Sequence, residues 1–283
     1  ENKFGIALDQ APAIYERAAK MRNIDIVGVQ MHIGSQITEA EPFAAAIKKV
    51  EQLVRELKTK YAIKFFSIGG GMGIIYRHAL ESGSGKWWHE HGAESSAFSV
   101  RDYAAAVVPP LRDLGLRILV EPGRFLIGNA GVLLTRVRYI KETDEKKFAI
   151  VDAGMNDLIR PALYQSYHEI VPVRQPGGKG SVPSQNFKDD TEVVPPLARE
   201  KIDIVGPVCE SGDFFARDRE MPALRENDLL AIMSTGAYGF VMASNYNSRP
   251  LPAEVLVQGN KFALIRQRQD WKDLVRGEVD ADL

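Results

Sequence analysis

Three short apolar runs, each ending in polar or glycine-rich residues, constrain this chain more than any other feature. The first spans Ile24 to Met31 and meets His32; the second, Phe65-Phe66-Ser67-Ile68, runs into Gly69-Gly70-Gly71. The third, Leu116 to Val120, leads into Glu121-Pro122-Gly123-Arg124. Such runs predict strands buried on both faces, as in a parallel sheet. Between the first two, Phe43, Ile47, Val50, Val54 and Leu57 recur at steps of four and three, which predicts an amphipathic helix over roughly 39–60. Thr38 and Glu41 have capping-box spacing, and Lys58 and Lys60 suit the helix C-terminus. Strand, loop and helix in alternation imply parallel βαβ units whose chemistry lies at the carboxyl ends of the strands. Counting a weak strand near Phe4 to Leu8, about four strands are predicted, where a closed barrel needs eight. The expected fold class is α/β, with a partial TIM-like (β/α)8 barrel over residues 1–130.

After about Gly131 the texture changes. Val132 to Ile140 alternates, Phe148 to Val151 reads as another strand, and Gly, Pro and Asp clusters punctuate the rest, which predicts an antiparallel β domain over residues 131–283. Residues 174–200 are too polar for a core and read as a surface hairpin or loop; Trp271 to Val275 reads as a short closing helix. No internal repeat is visible. With 283 residues, 45% of them hydrophobic, the chain can bury a core without staples. Its 36 basic residues nearly cancel 37 acidic ones, so no global field favours nucleic acid or an anionic membrane. Cys209 is the only cysteine, which excludes an internal disulfide and fits a reducing compartment. No apolar run is long enough to span a bilayer and no signal peptide opens the sequence, so a cytoplasmic location is expected.

Individually, the motifs admit bland readings. Gly69-Gly70-Gly71-Met72-Gly73 after a strand can cradle a phosphate through converging amide N–H groups, or simply make a tight turn. Neither it nor Gly178-Lys179-Gly180-Ser181 is a Walker A loop. His32, at a strand end beside Gly34-Ser35-Gln36, is a candidate site residue or a satisfied strand-end histidine. His89 and His91 lack metal-ligand partners at a recognisable spacing, so no metal is expected, and Trp87 and Trp88 read as packing or interface residues rather than a base-stacking platform. Cys209 beside Glu210 is either a buried small hydrophobe or a loop thiol able to act. Arg124 and Arg160 by default are surface ion-pair partners.

Taken in order, the motifs resemble the diaminopimelate decarboxylases, fold type III pyridoxal-phosphate enzymes of the alanine racemase and ornithine decarboxylase superfamily. The resemblance runs nearly the whole chain. Its carriers are Met31-His32-Ile33-Gly34-Ser35-Gln36, Ile68 to Gly73, Glu121 to Arg124, Asp152-Ala153-Gly154-Met155-Asn156-Asp157 with Arg160-Pro161-Ala162-Leu163-Tyr164, Gly206-Pro207-Val208-Cys209-Glu210-Ser211, and Gly236-Ala237-Tyr238-Gly239. It implies conversion of meso-diaminopimelate to L-lysine and carbon dioxide with pyridoxal 5'-phosphate as cofactor. It also implies roles. Glu121 would hydrogen-bond the cofactor's pyridine nitrogen and His32 would stack on its ring. Ser35, Gly69, Gly70 and Gly71 would hold its phosphate; Gly123 and Arg124 would stand among the cofactor contacts, and Tyr238 would reach both phosphate and substrate. Arg124, Arg160 and Tyr164 would bind the distal end of the substrate, where planar guanidinium groups suit a carboxylate. Glu210 would accept from the substrate ammonium and Cys209 would deliver the proton that replaces carbon dioxide. In the family this Cys-Glu loop serves the partner's active site, so a homodimer is implied.

One departure stands out. The lysine that holds the cofactor in this family lies on an early barrel strand in a Lys-Ala-Asn setting, and no such segment occurs here. Lys3, followed by Phe4-Gly5, resembles a later stretch and does not take that role. The expectation is that these residues are part of a longer enzyme. Rival readings are a superfamily decarboxylase acting on ornithine, arginine or carboxynorspermidine, and a non-catalytic cofactor-binding homologue. The second Arg argues against the former, because a substrate with no distal carboxylate would leave Arg160 unmatched.

Overall fold

The structure, a computed structural model, describes residues 3–80, 82, 99–173 and 199–281. His89, His91, Trp87, Trp88 and residues 174–198 of the expected polar loop lie outside the described residues. The chain divides into two compact units, one holding Glu1–Ile75 and Leu80–Ile127, the other Tyr76–Ala79 and Gly128–Leu283.

In the first unit a helix, α1 (Ala11–Ala19), precedes strand β1 (Gly28–Gln30). Helix α2 (Glu41–Tyr61) leads to β2 (Phe65–Ser67), and α3 (Val100–Arg112) to β3 (Arg117–Leu119). All three strands are parallel, in the order β1-β2-β3, with Gln30 opposite Ser67 and Ser67 opposite Leu119. This register puts the three carboxyl ends level, so the segments after Gln30, Ser67 and Leu119 leave the sheet at one edge. Phe43, Ile47, Val54 and Leu57 of α2 pack with Tyr103, Val107 and Leu111 of α3 and with Phe66 and Ile68. The Phe43 and Tyr103 rings meet edge to face, centroids 5.0 Å apart.

Three expectations are corrected here. Phe4 to Leu8 forms bends and a turn rather than a strand, with Gly5 at φ +78° and Phe4 exposed. Helix α2 begins at Glu41 with Ala40 as its N-cap, without a side-chain cap from Thr38. Pro42 in the first turn, with its pre-set φ, supplies the start instead. The capping box belongs to α3, where Ser99 and Asp102 reciprocate. Finally, β1 and β3 are half-buried to exposed, not buried on both faces, because they form the two edges of the three-stranded sheet.

The second unit is built on a six-stranded sheet. Its strands are β4 (Leu133–Glu142), β5 (Lys147–Val151), β6 (Ile170–Pro172), β7 (Arg199–Val205), β8 (Phe214–Pro222) and β9 (Leu229–Ile232), in the order β6-β9-β4-β5-β7-β8. The sheet is antiparallel as expected except between β5 and β7, which run parallel. These two strands are not joined by a hairpin, so local turn signals cannot reveal their pairing. Val137, Val151, Ile204, Leu230 and Ile232 are its fully buried apolar centre. Strands β10 (Glu254–Gln258) and β11 (Lys261–Arg266) form a separate two-stranded hairpin. It exposes Val255, Val257, Phe262 and Leu264, and a short helix, Trp271–Leu274, follows it. No described helix is long and apolar enough to cross a membrane.

Candidate active site

At the level carboxyl edge of the first unit's sheet, Glu121 follows β3 and His32 follows β1, while Gly69, Gly70 and Gly71 follow β2. Each of these glycines lies where a side chain has no room. A Cβ on Gly69 (φ +75°) would stand 2.2 Å from the Met31 carbonyl oxygen, and one on Gly70 would stand 2.4 Å from that of Glu121. On Gly71 (φ +100°) it would meet the Gly34 carbonyl oxygen at 2.5 Å. The triple glycine therefore lets three loops converge, which brings His32, Ser35 and Glu121 to one edge.

Glu121 is held in place. Ser67 Oγ donates to Glu121 Oε1 at 2.6 Å and accepts from the Gly69 N–H at 3.2 Å. One hydroxyl has one proton, so its orientation is settled: the proton points to the carboxylate and a lone pair to the amide. Gln30 Nε2 approaches both Glu121 oxygens at 3.4 Å. On the helical turn Gly123–Ile127, Arg124 Nη2 donates to Ser35 Oγ at 3.0 Å. His32, Ser35, Glu121 and Gly123 are exposed, and Arg124 is half-buried. An anchored carboxylate, an imidazole, and a hydroxyl with a guanidinium beside a glycine cradle form a donor set that suits pyridoxal phosphate: a ring nitrogen, an aromatic face and a phosphate. Neither Ser67 nor Gln30 belongs to a motif, although a serine inside an otherwise apolar strand is a signal for the first.

The second unit carries the other candidates. Arg160 and Tyr164 lie on a five-residue helix, Arg160–Tyr164. Arg160 is buried at 5% exposure, whereas Tyr164 is exposed. Arg160 Nη1 bonds His168 Nε2 at 2.7 Å, and its guanidinium lies over the Tyr76 ring at 4.8 Å. Cys209 and Glu210 are exposed on the loop from β7 to β8. Glu210 Oε1 accepts from the Gly212 N–H at 3.2 Å. Tyr238, half outside the surface, adopts the left-handed conformation at φ +59°. Gly239 follows it where a Cβ would be 2.1 Å from the Thr235 carbonyl oxygen, so the 235–239 turn is tightly closed. Among the described residues no group of three or more His, Cys, Asp or Glu is placed to hold a metal.

Two further residues, marked by no local sequence signal, order these loops. Arg249 donates through Nε to Asn156 Oδ1 at 2.8 Å and through Nη2 to the Asp152 carbonyl oxygen at 2.6 Å. Asp213, 4% exposed, accepts from the Met155 N–H at Oδ1 and the Val208 N–H at Oδ2, both at 2.6 Å. It thus ties the 152–157 loop to the loop that carries Cys209. Burial raises the Asp213 carboxyl above its ordinary value of 3.8, outweighing these amide bonds, which favour the ionised form. The folded state therefore holds the proton more tightly than the unfolded chain. This contribution to stability is complete below 3.8 and is lost as pH rises through the raised folded value. Asp213→Asn removes the titration, so the wild type should lose stability relative to this variant as pH rises through that window, measured by urea unfolding. A wild type that gains instead would mean that the amide bonds outweigh burial.

The sequence model of the family described as "Pyridoxal-dependent decarboxylase, C-terminal sheet domain" matches residues 24–236. The chain belongs to the pyridoxal-dependent decarboxylase family. Over 279 residues it is 44% identical to a diaminopimelate decarboxylase of Pseudomonas aeruginosa, covering 98% of this chain and 59% of that relative. A solved structure from Aquifex aeolicus superposes with a TM-score of 0.82 at 39% identity, covering 99% of this chain and 61% of the other. A diaminopimelate decarboxylase from M. jannaschii, solved with L-lysine, superposes with a TM-score of 0.81 at 34% identity, covering 99% and 58%. The chain thus spans about three fifths of the length of the relatives it matches.

Proposed function

We propose that the enzyme to which these residues belong decarboxylates meso-diaminopimelate to L-lysine with pyridoxal 5'-phosphate. The observation that carries the reading is the carboxylate of Glu121, fixed by Ser67 at the edge where the Gly69-Gly70-Gly71 cradle lies. Relatives named diaminopimelate decarboxylase, one solved with L-lysine, support the substrate. In this reading residues 1–130 are the carboxyl-terminal half of an alanine-racemase-type (β/α)8 barrel and residues 131–283 the β domain. The enzyme is a cytoplasmic homodimer.

When bound, pyridoxal phosphate supplies an electron sink for the pair left on carbon as carbon dioxide departs. Glu121 keeps a proton on the pyridine nitrogen, His32 covers the ring, and Ser35, Gly69, Gly70, Gly71, Gly123, Arg124 and Tyr238 hold the phosphate end. Arg124, Arg160 and Tyr164 grip the substrate's distal carboxylate end, Tyr238 reaches both phosphate and substrate, and Glu210 accepts from the substrate ammonium. Cys209 Sγ, on its exposed loop, gives its proton to the carbon that has lost carbon dioxide. Cys209→Ala is expected to lower kcat about a hundredfold, as loss of a positioned acid does, with cofactor affinity unchanged. Equal losses in both would make the residue structural.

The complete polypeptide, supplied with pyridoxal phosphate and meso-diaminopimelate, should release lysine and carbon dioxide in equal amounts. Cofactor binding without either product would select the non-catalytic homologue instead.

A further inference from the structure

We infer that His168 is a positioning residue that aims the Arg160 guanidinium at the substrate's distal carboxylate through a hydrogen bond from a neutral ring. The inference rests on the reading of Arg160 given above. His168 is fully buried, and its ring makes two hydrogen bonds in opposite directions: Nε2 with Arg160 Nη1 at 2.7 Å and Nδ1 with the Met233 carbonyl oxygen at 2.8 Å. An arginine only donates and a carbonyl only accepts, so the tautomer is fixed by its partners. Nδ1 carries the proton, Nε2 offers its lone pair, and the ring is neutral.

That neutrality distinguishes this contact from the usual one. A carboxylate in the place of Nε2 would orient Arg160 equally well, but it would also cancel the charge that an incoming carboxylate needs. An imidazole lone pair orients the fork and brings no counter-charge of its own. The geometry around it is stiff. Tyr76 meets the His168 ring edge on at 5.2 Å and lies under the Arg160 guanidinium at 4.8 Å. Arg219 Nη1 donates to the His168 carbonyl oxygen at 3.0 Å, and its guanidinium stacks on Tyr167 at 4.1 Å. Side chain, ring face and main chain of His168 are therefore each fixed from a different direction, and Arg160 takes its direction from the sum.

Two amides dissect the ring. In His168→Asn the side-chain N–H can still reach the Met233 carbonyl, but no acceptor extends to Arg160. In His168→Gln the longer amide oxygen can replace Nε2 toward Arg160. The complete enzyme with its cofactor is titrated calorimetrically with L-lysine and with cadaverine, which has the same diamine chain and no carboxylate. His168→Asn is expected to weaken L-lysine about tenfold while cadaverine changes less than about twofold. His168→Gln is expected to hold L-lysine within about threefold of wild type. Equal weakening of both ligands by His168→Asn, no weakening of either, or equal loss of L-lysine in the Asn and Gln variants overturns the inference. Arg160→Leu, measured alongside, separates the two levels. Selective loss of L-lysine there with none in His168→Asn sinks only the role of His168. Equal loss of both ligands in Arg160→Leu sinks the carboxylate reading and the inference with it. If His168→Asn does not fold, Tyr76→Leu loosens the same clamp and should also weaken L-lysine selectively; unchanged binding there overturns the inference.

Discussion

Arg160→Leu is expected to lower kcat/KM for meso-diaminopimelate by about three orders of magnitude, because the role proposed for Arg160 is a buried charge-assisted pair with the substrate carboxylate. The same change should leave the slow turnover of a substrate lacking that carboxylate, such as ornithine, nearly untouched. Arg160 is buried, so stability must be followed separately. Arg160→Lys keeps the charge but loses the planar fork that meets both a carboxylate and His168 Nε2, and should fall between the two. Steady-state kinetics with both substrates checks this. An unchanged specificity constant for meso-diaminopimelate would remove Arg160 from the substrate site.

Glu121→Gln is expected to lower kcat at least a hundredfold with little change in cofactor affinity. The two side chains are nearly the same shape, and the amide oxygen can still accept from Ser67 Oγ, so the edge of the sheet should survive. A neutral amide cannot stabilise a protonated pyridine nitrogen as a carboxylate does, and the electron sink weakens with it. Single-turnover decarboxylation together with a pyridoxal phosphate titration separates the two quantities. A kcat near wild type would mean that the Ser67-anchored carboxylate is structural.

How far the residues alone disclosed this arrangement varied with the range of the interaction. Helix α2 was legible because Phe43, Ile47, Val54 and Leu57 mark one face, and all four are buried. The strands that precede His32, Gly69 and Glu121 were legible too, though the paired segments are only three residues each. Helix α3 was not read, since Pro109 and Pro110 inside it argue locally against a helix that its apolar face sustains. The parallel pairing of β5 with β7 is long-range and leaves no local signature. Among the candidate site residues, the triple glycine is a weak signal alone and Glu121 is marked only by the family resemblance, whereas Asp213, Arg249 and His168 carry no signal and Ser67 only that of its place in an apolar strand. Each acts through one or two hydrogen bonds to residues distant in sequence, such as His168 to Met233, and only the folded chain brings those partners together.

The central claim is that this chain serves decarboxylation of an amino acid with a distal carboxylate. The measurement that tests it most directly is kcat/KM of the complete enzyme for meso-diaminopimelate against L-ornithine at saturating pyridoxal phosphate. The account predicts a preference for meso-diaminopimelate of about a thousandfold or more, the value expected when a guanidinium built for a carboxylate is left without one. Equal turnover, or a preference for ornithine, would contradict it and move the chain to the decarboxylases of simple diamino acids.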